Sequence, residues 1–241
     1  MNHILILLML FATQGVLKAQ SLVGKSAKEV AKGFYSYHVY KASLTSLKRA
    51  LFYKTTAAGD DSLVYAYTNE KGIIKIILPK PYTFVDEMYN RIDTTITSSE
   101  SDFSEGWAAV KNETTGLIGF IDSSGKIAIE PQYTLVGKFN EGLAFFAILE
   151  KCNGGESRPN KMGYIDKTNN RVIVVPKKLA ELYACCYFDG GEFRNGVAIM
   201  SVAEFGFDCN CRATIIIDKK GKVLNYTGQL LDAKNKPIKI E

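Results

Sequence analysis

Asp102-Phe103-Ser104-Glu105-Gly106-Trp107-Ala108-Ala109-Val110 opens a phrase that the chain states more than once. It continues through Gly119-Phe120-Ile121-Asp122-Ser123-Ser124-Gly125-Lys126 and Glu130-Pro131-Gln132-Tyr133, and then begins again. Lys138-Phe139-Asn140-Glu141-Gly142-Leu143-Ala144 restates the opening, with Phe139 standing 36 residues after Phe103. A unit recurring at this period is one supersecondary element, and copies of it stack or ring into a common core.

Working outward from that stretch, one joint recurs four times. Asn69-Glu70-Lys71-Gly72, Asp122-Ser123-Ser124-Gly125 and Asp218-Lys219-Lys220-Gly221 each separate two short β-prone runs. The third copy, Asp166-Lys167-Thr168-Asn169, carries Asn where the others carry Gly. Asn or Asp at the first turn position bonds back to the backbone, and Gly at the fourth restarts the strand in the left-handed region. Asn is the next most tolerant residue there. A second turn phrase centres on Gly106, Gly142 and Gly196, each following a phenylalanine (Phe103, Phe139, Phe193) and preceding a small alanine. Pro131 and Pro176, with Pro79 or Pro81 earlier, fall where a ladder is expected to stop, since proline donates no amide hydrogen.

Together, Phe-x-Glu-Gly-x-Ala, Gly-Phe/Tyr-Ile-Asp-x-x-Gly-Lys and Pro-x-Tyr resemble the WG (KWG) repeat family. The resemblance covers roughly residues 62 to 226 and is clearest from 102 to 176. The tryptophan of the Trp-Gly pair is replaced by Ile118 and Met162, and the aligned pair in the last unit is Thr214-Ile215. The resemblance implies a mainly β array of antiparallel hairpin repeats in bacterial, often exported, proteins. An open curved sheet, a solenoid and a propeller-like ring all accommodate about four such units. The family implies no catalytic residue.

The expected organisation is a signal peptide over 1–19, a helical N-terminal segment over 20–60, the repeat domain over 61–226 and a tail over 227–241. Ile4 to Ala12 is an apolar run too short to span a bilayer, so no transmembrane segment is expected after cleavage. Ser26-Ala27-Lys28-Glu29 has the form of a capping box. Val30, Phe34, Tyr37, Leu44 and Leu51 follow at spacings of four, three, seven and seven, which predicts one or two helices between 26 and 53. The longest connections, Cys152 to Asn160 and Leu179 to Gly191, are expected to be loops.

The chain is 46% hydrophobic and 23% charged with a net charge of +5. Its basic residues are dispersed, so no nucleic-acid footprint is expected. Beyond the signal, His38 is the only histidine, and no nucleophile-elbow or phosphate-loop motif is present. Glu105 with Glu141, and Asp122 with Asp166, are carboxylates in equivalent repeat positions. Matching environments suit turns better than an acid and base of different pKa. No catalytic, cofactor or metal residue is assigned.

Five cysteines suit an oxidising compartment with one left over. Cys152 and Cys209-Asn210-Cys211 fall in matching connections, and a bridge from Cys152 to Cys209 or Cys211 is expected. A thiolate metal site including Cys185 matches no standard spacing; Cys185 and Cys186 are adjacent and poorly disposed to bridge each other. Tyr183, Tyr187 and Phe188 lie off the motif and are candidates for a contact surface. The expected function is an exported, non-catalytic binding or scaffolding module whose partner is another envelope or extracellular protein, with a glycan as the alternative.

Overall fold

The computed structural model describes residues 21–32, 36–39, 47–55, 61–85, 103–151, 157–175, 186–204 and 213–227. The chain divides into two compact units, residues 1–115 with 120–128, and 116–119 with 129–241. Four antiparallel four-stranded sheets follow one another along the sequence, each a meander in which neighbours in sequence are neighbours in space. The first holds β1 (Ser36–Val39), β2 (Lys48–Thr55), β3 (Asp61–Thr68) and β4 (Ile74–Ile77). The second holds β5 (Tyr82–Phe84), β6 (Trp107–Asn112), β7 (Ile118–Asp122) and β8 (Ile127–Tyr133). The third runs β9 (Leu135–Val136), β10 (Leu143–Lys151), β11 (Ser157–Asp166) and β12 (Arg171–Val174). The fourth runs β13 (Cys186–Asp189), β14 (Val197–Glu204), β15 (Ala213–Asp218) and β16 (Val223–Thr227).

The helical N-terminal segment is not found. Ser26 does cap a helix, its side chain accepting from the Glu29 amide at 3.2 Å, but helix α1 (Ala27–Ala31) is a single turn. Residues 36–39 and 48–55 are strands. The apolar spacing misled because it mixes two interiors. Val30 packs with Ala50, Phe52, Ala66 and Ile74, whereas Leu51 packs with Tyr65, Tyr67, Ile76 and Phe103. β2 is buried on both faces, so its residues read as a continuous apolar run rather than an alternating one. α1 itself is tied to the first sheet's turn, where the Ala27 amide donates to the Gly72 carbonyl at 2.8 Å.

Two further expectations are corrected. Pro131 lies inside β8 rather than ending it, which is tolerable because β8 is the edge strand of its sheet. The connection from 179 to 191 is not all loop, since 186–189 form β13; likewise 157–160 belong to β11.

Each unit has its own aromatic core. In the first, Tyr67 meets Phe103 edge-on at 4.9 Å and Phe84 at 5.2 Å. In the second, Tyr164 meets Phe193 at 4.8 Å and Phe145 at 5.8 Å. The ring two residues before the hairpin turn therefore packs on the phenylalanine that opens a Phe-x-Glu/Asn-Gly phrase. Each such pair contributes about 0.5–1.5 kcal/mol beyond burial. Ala108, Ala144 and Ala198 are buried beside these phrases.

The glycine of the Trp-Gly pair has a steric cause. A Cβ on Gly119 would stand 2.3 Å from the Ile129 carbonyl oxygen and 2.7 Å from the Pro131 nitrogen, so adjacent backbone occupies its place. Gly163 faces the same obstacle from Ile173. The preceding apolar residues, Ile118 and Met162, are buried. Gly106, by contrast, has φ +82° and open space around its missing Cβ. Gly119→Ala is expected to destabilise by about 2–3 kcal/mol through overpacking, and Gly106→Ala by about 1 kcal/mol through backbone strain alone. Urea denaturation compares the two, and equal losses would refute the steric account.

Candidate functional site

The repeated joint is built identically four times. Asn69 Oδ1 accepts from the amides of Lys71 at 3.1 Å and Ile73 at 2.9 Å. Asp122 Oδ1 accepts from Ser124 at 2.8 Å and Lys126 at 3.1 Å. Asp166 Oδ1 takes the amides of Thr168 and Asn170, and Asp218 Oδ1 those of Lys220 and Lys222, all at 2.9 Å. The fourth turn residue is left-handed in every copy: Gly72 at φ +73°, Gly125 at +86°, Asn169 at +65° and Gly221 at +78°. In three copies the pairing then slips by one residue, at Tyr67/Thr68, Tyr164/Ile165 and Ile216/Ile217. The Ser124 hydroxyl holds the Asp122 carboxyl below its ordinary range, and the Thr168 hydroxyl does the same for Asp166. These carboxylates are committed to their own turns.

The second phrase joins one repeat to the next. Glu141 adopts φ +52°, as Glu105 does at +50° and Asn195 at +54°. Its Oε2 accepts from the Gly196 amide, the matching glycine of the fourth sheet's phrase, at 3.0 Å. The Lys219 ammonium lies 3.0 Å from the same oxygen and donates to the Glu141 carbonyl at 3.1 Å. Lys219 holds the Glu141 carboxyl below its usual range. The Pro-x-Tyr phrase does a related job. The buried Tyr133 hydroxyl donates to Asn169 Oδ1 at 2.5 Å, fixing the one turn that lacks glycine, and burial pushes that phenol's pKa up. Sequence reading missed both links, because each joins residues in different repeats.

Cys152, Cys185, Cys209, Cys211 and Tyr183 lie outside the described residues, as do residues 1–20 and 228–241. Cys152 lies between β10 and β11, and Cys209 and Cys211 between β14 and β15, which are equivalent connections of the third and fourth sheets. Cys186, Tyr187 and Phe188 are consecutive positions of β13, paired with Glu204, Ala203 and Val202. His38 is paired opposite Leu51 in the register of β1 and β2. Among the described residues no group of three His, Cys, Asp or Glu is placed to hold a metal, and no helix is long and apolar enough to cross a membrane.

The family model for the WG containing repeat matches residues 118–152. This segment is a WG repeat. It runs from β7 through β10, so the sequence repeat takes the last two strands of one sheet and the first two of the next. With that offset, the matched repeat is not a closed sheet by itself. No curated protein and no solved structure matches the chain.

A less periodic feature lies in the second unit. Ile173, Val175, Met200, Ile215, Ile217 and Val223 line an apolar groove with Gly221 and Val174. Beside it, Val172, Val174 and Leu224 are 46%, 57% and 51% exposed. They occupy outward positions on β12 and β16, the last strands of their sheets. The outward residues on the corresponding strands β4 and β8 include Lys75 and Glu130, both exposed.

Because Asp166 is held below its ordinary pKa, its contribution to stability is complete above the unfolded value of about 3.9. That contribution disappears as the pH falls through the lowered folded value. Asp166→Ala is expected to destabilise at neutral pH by about 1 kcal/mol, and Asp166→Asn, which keeps the acceptor as Asn69 does, by less. The gap between wild type and Asp166→Ala should narrow below about pH 4. Thermal melts at several pH values check this; a gap that widened in acid would contradict it.

Proposed function

We propose that this chain is an exported, non-catalytic repeat module that binds another protein at the bacterial cell envelope. The observation carrying this reading is the break in periodicity on the second unit. Where β4 and β8 turn Lys75 and Glu130 to solvent, β12 and β16 turn Val172, Val174 and Leu224 outward beside an apolar groove. Clustered apolar exposure of this kind marks interaction surfaces, and repeat arrays offer extended faces for them. A non-catalytic role is favoured because the repeated carboxylates are occupied by their own turns and by the Glu141 link. Export rests on the apolar run at 4–12 and its small-residue ending at Ala19. On this reading the four meanders are successive members of one array, and the pairing of Cys152 with Cys209 or Cys211 would staple its last two members.

A photo-crosslinking residue placed at Val174 tests the assignment in the cells that make the protein, with the same residue at Lys75 as control. A discrete crosslinked protein partner is expected from position 174 and none from 75. No partner at 174, or the same products from both positions, would overturn the reading.

A further inference from the structure

We infer that residues 228–241 fold back over the exposed face of the fourth sheet, laying Ile238 and Ile240 against Ile199 and Ile216. The inference goes beyond the binding role proposed above and does not rest on it. It starts from a row of cross-strand partners, which share one face of a sheet. In the first sheet the row is Arg49, Tyr67 and Ile76; in the third it is Phe145, Tyr164 and Ile173. All six side chains are buried. In the fourth sheet the row is Ile199, Ile216 and Asn225. Ile199 follows Phe193 at the spacing at which Phe145 follows Phe139, and Ile216 precedes Asp218 as Tyr164 precedes Asp166. Yet Ile199 is 51% exposed, Asn225 is exposed and Ile216 is only partly buried. The opposite face, with Ala198, Met200, Ile215 and Ile217, is packed into the core.

In the first and third sheets the row is covered by the chain that leaves the fourth strand. β5, which follows β4, sets Phe84 edge-on to Tyr65 at 5.3 Å and to Tyr67 at 5.2 Å. The Arg49 guanidinium lies 5.8 Å from the centre of the same ring. β13 follows β12, and Gly190, just after it, lies so close to the Phe145 ring that a Cβ would have no room. The Tyr164 hydroxyl donates to the Gly190 carbonyl. The chain leaving β16 is residues 228–241. It holds Pro237-Ile238-Lys239-Ile240, an apolar–polar–apolar run after proline, as in Pro81-Tyr82-Thr83-Phe84 of β5. Pro237 comes 10 residues after Thr227, between the 4 from Ile77 to Pro81 and the 12 from Val174 to Cys186. Terminal members of a repeat stack need a cover, and the first sheet has one on its other face, where Ala27 and Val30 of α1 pack on Ala50 and Phe52. A tethered segment meets the fourth sheet at an effective concentration of about a millimolar, whereas a second copy would first give up its translational freedom.

The test places a photo-crosslinking benzophenone residue at position 199 of the purified full chain, with the same residue at position 161 as control. Ile199 and Lys161 are both exposed, so the sheets tolerate the change. Mixing nitrogen-15-labelled and unlabelled chains before irradiation separates adducts within one chain from adducts between two. Mass mapping should find position 199 joined to residues 228–241 of its own chain, and position 161 not joined to them. Ile238→Lys/Ile240→Lys should lower that adduct by about tenfold, since two buried aliphatic side chains are lost, while Ile238→Val/Ile240→Val should keep most of it. An adduct carrying both labels would give the face to a second copy and overturn the inference. No adduct with 228–241, which would leave the face to a different protein, would overturn it as well. So would an equal tail adduct from position 161, or a yield indifferent to the lysine variant.

Discussion

A single side-chain oxygen on the first turn residue closes the hairpin between the third and fourth strands of each of the four sheets. At Asn69, Asp122, Asp166 and Asp218 it collects two backbone amides. Those amides belong to a turn whose fourth residue is left-handed, and without an internal acceptor they would depend on water. Closing the turn locally sets the register of the two strands that leave it. That register in turn decides which face each ring occupies. Tyr67 and Tyr164 reach Phe103 and Phe193 only because the turn begins two residues later.

The offset between sequence repeat and sheet explains why the links between repeats matter. A WG repeat from β7 to β10 leaves half a sheet at either end, so its stability depends on neighbours. Glu141 and Tyr133 supply that dependence chemically, one by accepting the Gly196 amide and the other by holding the Asn169 side chain. Glu141 tolerates a left-handed backbone that a long side chain seldom adopts. Asn195, in the equivalent position of the last phrase, adopts the same conformation with a shorter side chain better suited to it.

Turns and repeats were legible in the sequence because they are local: Asp-x-x-Gly carries its own hydrogen-bond acceptor and its own conformational freedom. The N-terminal strands were not. Val30 and Leu51 sit at helical spacing yet serve two different cores, and no local pattern separates residues that point to opposite faces of a doubly buried strand. β13 was hidden for a related reason, since a short edge strand at the end of a long connection offers only four residues of signal. The apolar groove was illegible as well. Its floor is ordinary core by composition, and only the comparison of Val174 and Leu224 with Lys75 and Glu130 reveals that two sheets depart from the others.

Amide hydrogen exchange followed by NMR, residue by residue, addresses the central claim most directly. If one turn geometry organises all four hairpins, the amides of Ile73, Lys126, Asn170 and Lys222 will all exchange far more slowly than in the unfolded chain. Exchange at the unfolded rate for any one of these four, with its flanking strands still protected, would contradict a shared hairpin.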